Sequence, residues 1–132
     1  MAANTIPIFV LTPKAPKVRI ATANTGRDGT GTLGTITTAG ANGAFYKGVR
    51  IQAEGTTTAG VVRIFIQTAG AGNFELKKEV LITAITPSTT IEAAFAEWYP
   101  TGGIVLGIGD LLLASTNNAE TFSVWAEGGG DY

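Results

Sequence analysis

Apolar and polar positions alternate with a period of two along most of this chain. Lys17-Val18-Arg19-Ile20-Ala21 sets Val18 and Ile20 on one face and two cations on the other. Val49, Ile51 and Ala53 alternate with Arg50 and Gln52 over Tyr46 to Ala53. In Val61 to Thr68, Val62, Ile64 and Ile66 oppose Val61, Arg63, Phe65 and Gln67. Phe74 to Ile82 begins in phase at Phe74 and Leu76, then slips at Lys77-Lys78. Two adjacent lysines that both need water predict a bulge there. Phe122, Val124 and Ala126 face away from Ser123 and Trp125, so one of Phe122 and Trp125 points out of the core. Leu111-Leu112-Leu113, within Asp110 to Thr116, are apolar on both faces, as in an enclosed strand.

Weaker segments complete the series. Ile6 to Leu11 is a short apolar run closed by Pro13 and Pro16. Thr30 to Thr38 reads as a Thr-rich strand, and Ile104 to Leu106 as a short one. Thr90 to Tyr99 contains good helix formers, but Ile91, Ala93 and Phe95 alternate and turn residues bound it closely, which predicts a strand. Turns are expected at Asn24 to Gly29 and at Ala39 to Gly43, where Asn42-Gly43 is a hairpin signal. Gly128 to Tyr132 reads as a tail. Short strands recurring about every 10–12 residues without a helical period predict an all-β chain. The expected form is a single antiparallel β-sandwich, jelly-roll-like, with a closed barrel as the other possibility. Residues 1–16 are expected as an extended N-terminal arm or edge strand and 17–132 as the sandwich domain.

Composition narrows the chemistry. The chain has 132 residues, which suits one domain. It lacks His and Cys, so no thiol nucleophile, disulfide or imidazole ligand is available. Net charge is −1, without the positive excess of a nucleic-acid binder. No apolar run is long enough for a membrane helix, and the N-terminus does not read as a secretory signal. The expectation is therefore no nucleic acid, no membrane and no cofactor. Only 14% of residues are charged, while Gly, Ala and Thr number 18, 19 and 20. Thr37-Thr38, Thr56-Thr57-Thr58 and Thr89-Thr90 make uncharged, β-compatible surface, which suits a subunit covered by neighbours.

Candidate sites are few. Glu92 and Glu97 fall on opposite faces of a strand, and Glu54, Glu75 and Glu79 lie among basic residues, so spacing establishes no glycosidase pair. The loop Asn24 to Gly31 has a single carboxylate, Asp28, short of a calcium loop; Asn24 and Asp28 are expected to hold the turn. Gly26-x-x-Gly29-x-Gly31 and Gly40-x-x-Gly43 lack the lysine and following helix of a phosphate loop. No catalytic or metal-binding residues are expected. Trp98, Tyr99, Trp125 and Tyr132 are candidate contacts with a partner or a glycan. Ile6, Ile8, Phe9, Val10 and Leu11 are a candidate edge for pairing with another chain.

The blocks Thr22-Ala-Asn-Thr-Gly-Arg-Asp-Gly-Thr-Gly31, Thr38-Ala-Gly-Ala-Asn-Gly43, Glu54 to Ile66, Thr86-Pro87-Ser88, Ser115 to Phe122 and the closing Gly129-Gly130-Asp131-Tyr132 resemble a set of small tailed-bacteriophage proteins that sit among virion structural genes. The resemblance spans about residues 18–132. It implies a non-enzymatic virion component: first a capsid decoration or cement protein that binds and stabilises the major capsid protein, second a tail or fibre-associated sandwich that binds host carbohydrate. The expected partners are the major capsid protein and further copies of the chain, with a homo-trimer preferred. The expected location is the capsid surface, after synthesis in the host cytoplasm.

Overall fold

The computed structural model describes residues 10–70 and 72–132. Its strands are β1 (Thr12–Lys14), β2 (Lys17–Ile20), β3 (Gly34–Thr38), β4 (Ala44–Tyr46), β5 (Gly48–Ala53), β6 (Gly60–Gln67), β7 (Phe74–Ile82), β8 (Phe95–Trp98), β9 (Ile104–Leu106), β10 (Leu111–Thr116), β11 (Phe122–Glu127) and β12 (Gly129–Asp131). The fold is all-β. Among the described residues there is no helix, hence none long and apolar enough to cross a membrane. Three antiparallel sheets form, ordered β1-β12-β4-β9, β2-β11-β5-β8 and β3-β10-β6-β7.

The first two sheets are halves of one bent sheet. Each of its four chain segments crosses the bend: β1 into β2, β4 into β5, β8 into β9, and β11 into β12. Hydrogen bonds continue through it, from Lys47 N–H to Glu127 O at 2.9 Å and from Ala126 N–H to Pro16 O at 3.0 Å. Glycine permits the fold here. Gly128 has φ +76°, and a Cβ on Gly129 would lie 1.7 Å from the Phe45 carbonyl oxygen. Tyr46 to Ala53 is thus two strands broken at Lys47, and the expected C-terminal tail is the strand β12.

One hydrophobic core joins all three sheets into a β-sandwich-like body. Tyr46, Val49, Ile51, Val62, Ile64, Ile104, Leu106, Leu112, Phe122 and Val124 are its large, nearly inaccessible members. Strand alternation supplies them, since each face-in residue is followed by a face-out one. The expected bulge is present: Ile64 pairs with Lys78 and Phe65 with Leu76, leaving Lys77 unmatched. Two expectations need correction. The strand predicted over Thr90 to Tyr99 is only Phe95–Trp98, and its inward residues are Ala94, Ala96 and Trp98, opposite in phase to Ile91 and Phe95. Asn42-Gly43 does turn, with Gly43 N–H donating to Gly40 O, but β3 and β4 belong to different sheets, so the turn passes the chain between sheets.

Beneath β3-β10-β6-β7, on the side away from the core, lies a second buried layer. Phe65 and Leu113 are buried there, outside the main cluster, together with Arg63 at 2% exposure. The loop 21–33, a strap joining β2 to β3, lies against this face. Asn24 organises the strap: its Nδ2 donates to Thr30 O and Thr32 O, both at 2.9 Å, and its Oδ1 accepts from Gly26 N–H at 3.0 Å. Asp28 Oδ1 accepts from the Thr30 N–H and hydroxyl. The strap is fixed to the sheet by Asn24 N–H to Thr116 O at 2.8 Å, by Arg27 Nε to Glu79 at 2.7 Å, and by Gly29 set close against the Phe74 ring. Arg63 reaches it from below, donating to Asn24 O at 3.0 Å and Asn117 Oδ1 at 3.1 Å; its Nε forms an ion pair 3.4 Å from Glu79 without a hydrogen bond. This is why Thr30 to Leu33 leave the expected strand, which begins at Gly34.

Removing a buried charged partner strands the groups it satisfied and typically costs ~3–5 kcal/mol. Arg63→Ala is therefore expected to lower the unfolding free energy by about that much in denaturant titration. A loss under about 1 kcal/mol, the size of a surface pair, would show that Arg63 does not secure the strap.

Candidate interaction surface

No described element covers the outer face of β2-β11-β5-β8, and the register arranges its side chains in rows. Lys17, Trp125, Arg50 and Glu97 lie side by side across the four strands; Arg19, Ser123, Gln52 and Phe95 form the next row. Toward the bend, Glu127 pairs with Gly48, and the Tyr99 ring lies over that glycine. A Cβ on Gly48 would meet Tyr99 Cδ1 at 2.4 Å, so the missing side chain is what seats the ring.

Cations and aromatics interleave on this face. Lys17 Nζ stands 4.9 Å from the Trp125 ring centroid and Arg50 Cζ 4.8 Å from that of Phe95. Arg50 also donates to Glu97 at 2.5 Å and to Gln52 at 3.1 Å. Arg19 grips Glu54 with two nitrogens, Nε donating to Oε2 at 2.6 Å and Nη2 to Oε1. That hydrogen bond, aided by the opposite charge, holds the Glu54 carboxyl below its usual range and raises Arg19. Tyr99 O–H donates to Glu127 Oε2 at 2.6 Å. The hydrogen bond first, then burial and the nearby carboxylates, push the Tyr99 phenol up to about 12. The cations Lys17, Arg19 and Arg50 balance the carboxylates Glu54, Glu97 and Glu127.

The residues singled out by sequence separate in the structure. Tyr99, 46% exposed, and Trp125, half-buried beneath Lys17, lie on this face. Trp98 does not: it turns inward opposite fully buried Val49 and packs on the core. Tyr132 is half-buried at the end of the bent sheet, its N–H donating to Gly43 O at 3.1 Å. Val10 is half-buried; Leu11 is 79% exposed beside Asp131, whose carbonyl accepts from its N–H at 2.9 Å. Ile6, Ile8 and Phe9 lie outside the described residues. Phe95, 48% exposed, belongs to the surface although its alternation with Ile91 and Ala93 pointed it inward. Arg50 was readable, since Val49, Ile51 and Ala53 fix its face.

Chemically this surface is suited to being covered. Aromatic and Arg side chains with their charges already matched are the usual anchors of a protein contact. Two ring faces are occupied by cations, so a sugar stacking on Trp125 or Phe95 would have to displace Lys17 or Arg50. Glu54, Glu97 and Glu127 are each engaged by a neighbouring donor. No protein-family model, curated protein or solved structure matches this chain.

Because the Tyr99 value in the folded protein lies above that of a free tyrosine, near 10, the unfolded chain loses this proton first. Stability from the Tyr99–Glu127 pair is complete below about pH 10 and drains away as pH rises toward 12. Glu127→Gln is expected to bring the phenol back toward 10, read by tyrosinate absorbance. An unchanged titration would mean that Glu127 is not the cause.

Proposed function

We propose that this chain is a non-enzymatic bacteriophage virion structural protein: a capsid decoration or cement protein that binds the major capsid protein through the open face of β2-β11-β5-β8 and stabilises the shell. The observation that carries the reading is the asymmetry of the two broad faces. One is covered around the buried Arg63 by the strap 21–33; the other presents Trp125, Tyr99, Phe95 and Arg50 in charge-balanced rows. Such a body offers a partner one prepared surface on a rigid scaffold.

The architecture supports the same reading. Counting each bent pair as one segment, the chain has eight segments, in sheets ordered first-eighth-third-sixth and second-seventh-fourth-fifth. We read this order as jelly-roll-like, an architecture recurrent in viral capsid proteins and lectins. Residues 1–16 are read as the arm or edge strand leading into it, of which Thr12–Lys14 pair with β12. The resemblance of the Thr22–Gly31, Glu54–Ile66 and Ser115–Phe122 blocks to tailed-phage virion proteins supports the setting on a capsid surface. The chain works with copies of itself, without nucleic acid, membrane or cofactor.

A second reading, a tail or fibre sandwich binding host carbohydrate, draws on the outward Trp125, Tyr99 and Phe95. Binding of the purified chain to particles lacking it separates the two. Trp125→Ala and Arg50→Ala are each expected to weaken attachment by about tenfold or more, as interface anchors do, and the chain should appear in the mass spectrum of purified particles. Absence from particles would refute both readings. Particle attachment indifferent to these substitutions, with glycan binding that Trp125→Ala abolishes, would favour the second.

A further inference from the structure

Among the described residues six strands lie at sheet edges, and five are guarded. β1 carries Pro13 and Lys14; β2 carries Lys17 and Arg19; β7 is bulged and holds Glu75, Lys77, Lys78 and Glu79. β8 carries Glu97 and packs beside β7, while β3 packs beside β2. Charges, proline and bulges are the usual means of keeping an edge from pairing with another chain. β9 has none of these. From Thr101 to Gly109 there is no charged residue, and Val105 and Ile108 stand 65% and 68% exposed.

Among the described residues the backbone of β9 is also open at Val105, while the flanking Gly103 and Gly107 N–H groups are held by Pro100 O and Asp110 Oδ2. Tyr132 N–H donates to Gly43 O, so by antiparallel alternation Phe45 directs its backbone groups toward β12. Phe45 and Val105 are then a non-hydrogen-bonded pair, and the N–H and C=O of Val105 point off the edge. At the opposite edge of the same sheet, the matching outward position is Pro13, which has no N–H to offer. A head-to-tail ring through β1 and β9 is therefore disfavoured.

The geometry points to a second copy of this chain as the occupant, joined β9 to β9 about a two-fold axis at Val105. The two Val105 residues exchange N–H···O=C bonds. Ile104 lies opposite the second copy's Leu106, and Gly103 opposite its Gly107. Ile108 lies opposite its Gly102, above which there is open space. Thr101 to Gly109 bring no charges together, and the nearest carboxylate, Asp110, is bound within its own chain to Gly107 and Ala69 N–H. The outer apolar row Pro13, Gly130, Phe45, Val105 continues into its own mirror order across the axis. The self-contact is then two-fold, in place of the trimer expected from sequence. It builds on the reading of the chain as an assembling subunit, yet it is measured in solution without particles. A failure here leaves particle attachment to be decided on its own.

The chain has no cysteine, so single cysteines report contacts cleanly. Opposed residues of a hydrogen-bonded antiparallel pair stand about 5.5 Å apart at Cα, within disulfide reach. Under mild oxidation, full-length Val105→Cys is expected to form a covalent dimer at least tenfold faster than Leu81→Cys, at a more exposed position on β7. In sedimentation, the unaltered chain should be dimeric, and Val105→Lys should raise its dissociation constant at least tenfold while its circular dichroism still reads as a folded β protein. Cross-linking no faster than the Leu81 control, or an unaltered chain that stays monomeric, overturns the proposal. So does preferential linkage of Val105→Cys to Ile8→Cys in a mixture, which would make the N-terminal segment the occupant.

Discussion

Arg63 is a charge withdrawn from water to hold a loop. Its two terminal nitrogens bind Asn24 O and Asn117 Oδ1, and its Nε faces Glu79, so three separate stretches of chain meet at one guanidinium. Burying an ion is costly unless its donors are matched, and here the strap supplies a main-chain carbonyl to match them. The dependence is mutual. Without Arg63 the strap would lose its central tie, and without the strap Phe65 and Leu113 would lie exposed on the outside of β3-β10-β6-β7. The strap thereby covers the Arg63 region of a sheet whose other side faces the core, while Leu81 at the far end of β7 stays exposed.

Closing one face gives the other its meaning. Among the described residues no element covers the outer surface of the bent sheet, which runs from Val105 and Phe45 past Tyr99 to Trp125, Arg50 and Phe95. The bend at Lys47 and Gly128 lets four continuous segments wrap the core while shifting the phase of their outward residues. The charged rows on β2-β11-β5-β8 and the uncharged edge at β9 thus lie on one sheet, and they suit different partners. Matched charges and aromatics fit a dissimilar protein surface; an uncharged backbone edge fits another strand.

Much of this was legible in the residues. Strict alternation in Val49–Ala53 and Val61–Gln67 placed nearly every core side chain of β5 and β6, and Lys77-Lys78 marked its own bulge. Spacing put one of Phe122 and Trp125 outside, and the structure buries Phe122 and turns Trp125 out. Other features were hidden for physical reasons. The bend leaves no trace in hydropathy, since Tyr46 and Val49 are both buried on either side of Lys47. β12 is Gly-Gly-Asp, which has no strand propensity and is held by its neighbours β1 and β4. Ala94, Ala96 and Trp98 take the inward positions, which leaves Ile91 and Phe95 outward, against the phase that their hydropathy suggests. The burial of Arg63 was invisible because its partner carbonyl is Asn24, 39 residues away in sequence.

Hydroxyl-radical footprinting of the chain, free and bound to particles, tests the central claim most directly. Oxidation of Trp125, Tyr99 and Phe95 should fall several-fold on binding, while Leu81 on β7 and the strap 21–33 keep their free reactivity. Aromatics that oxidise equally in both states, or protection that falls on the strap instead, would contradict the account.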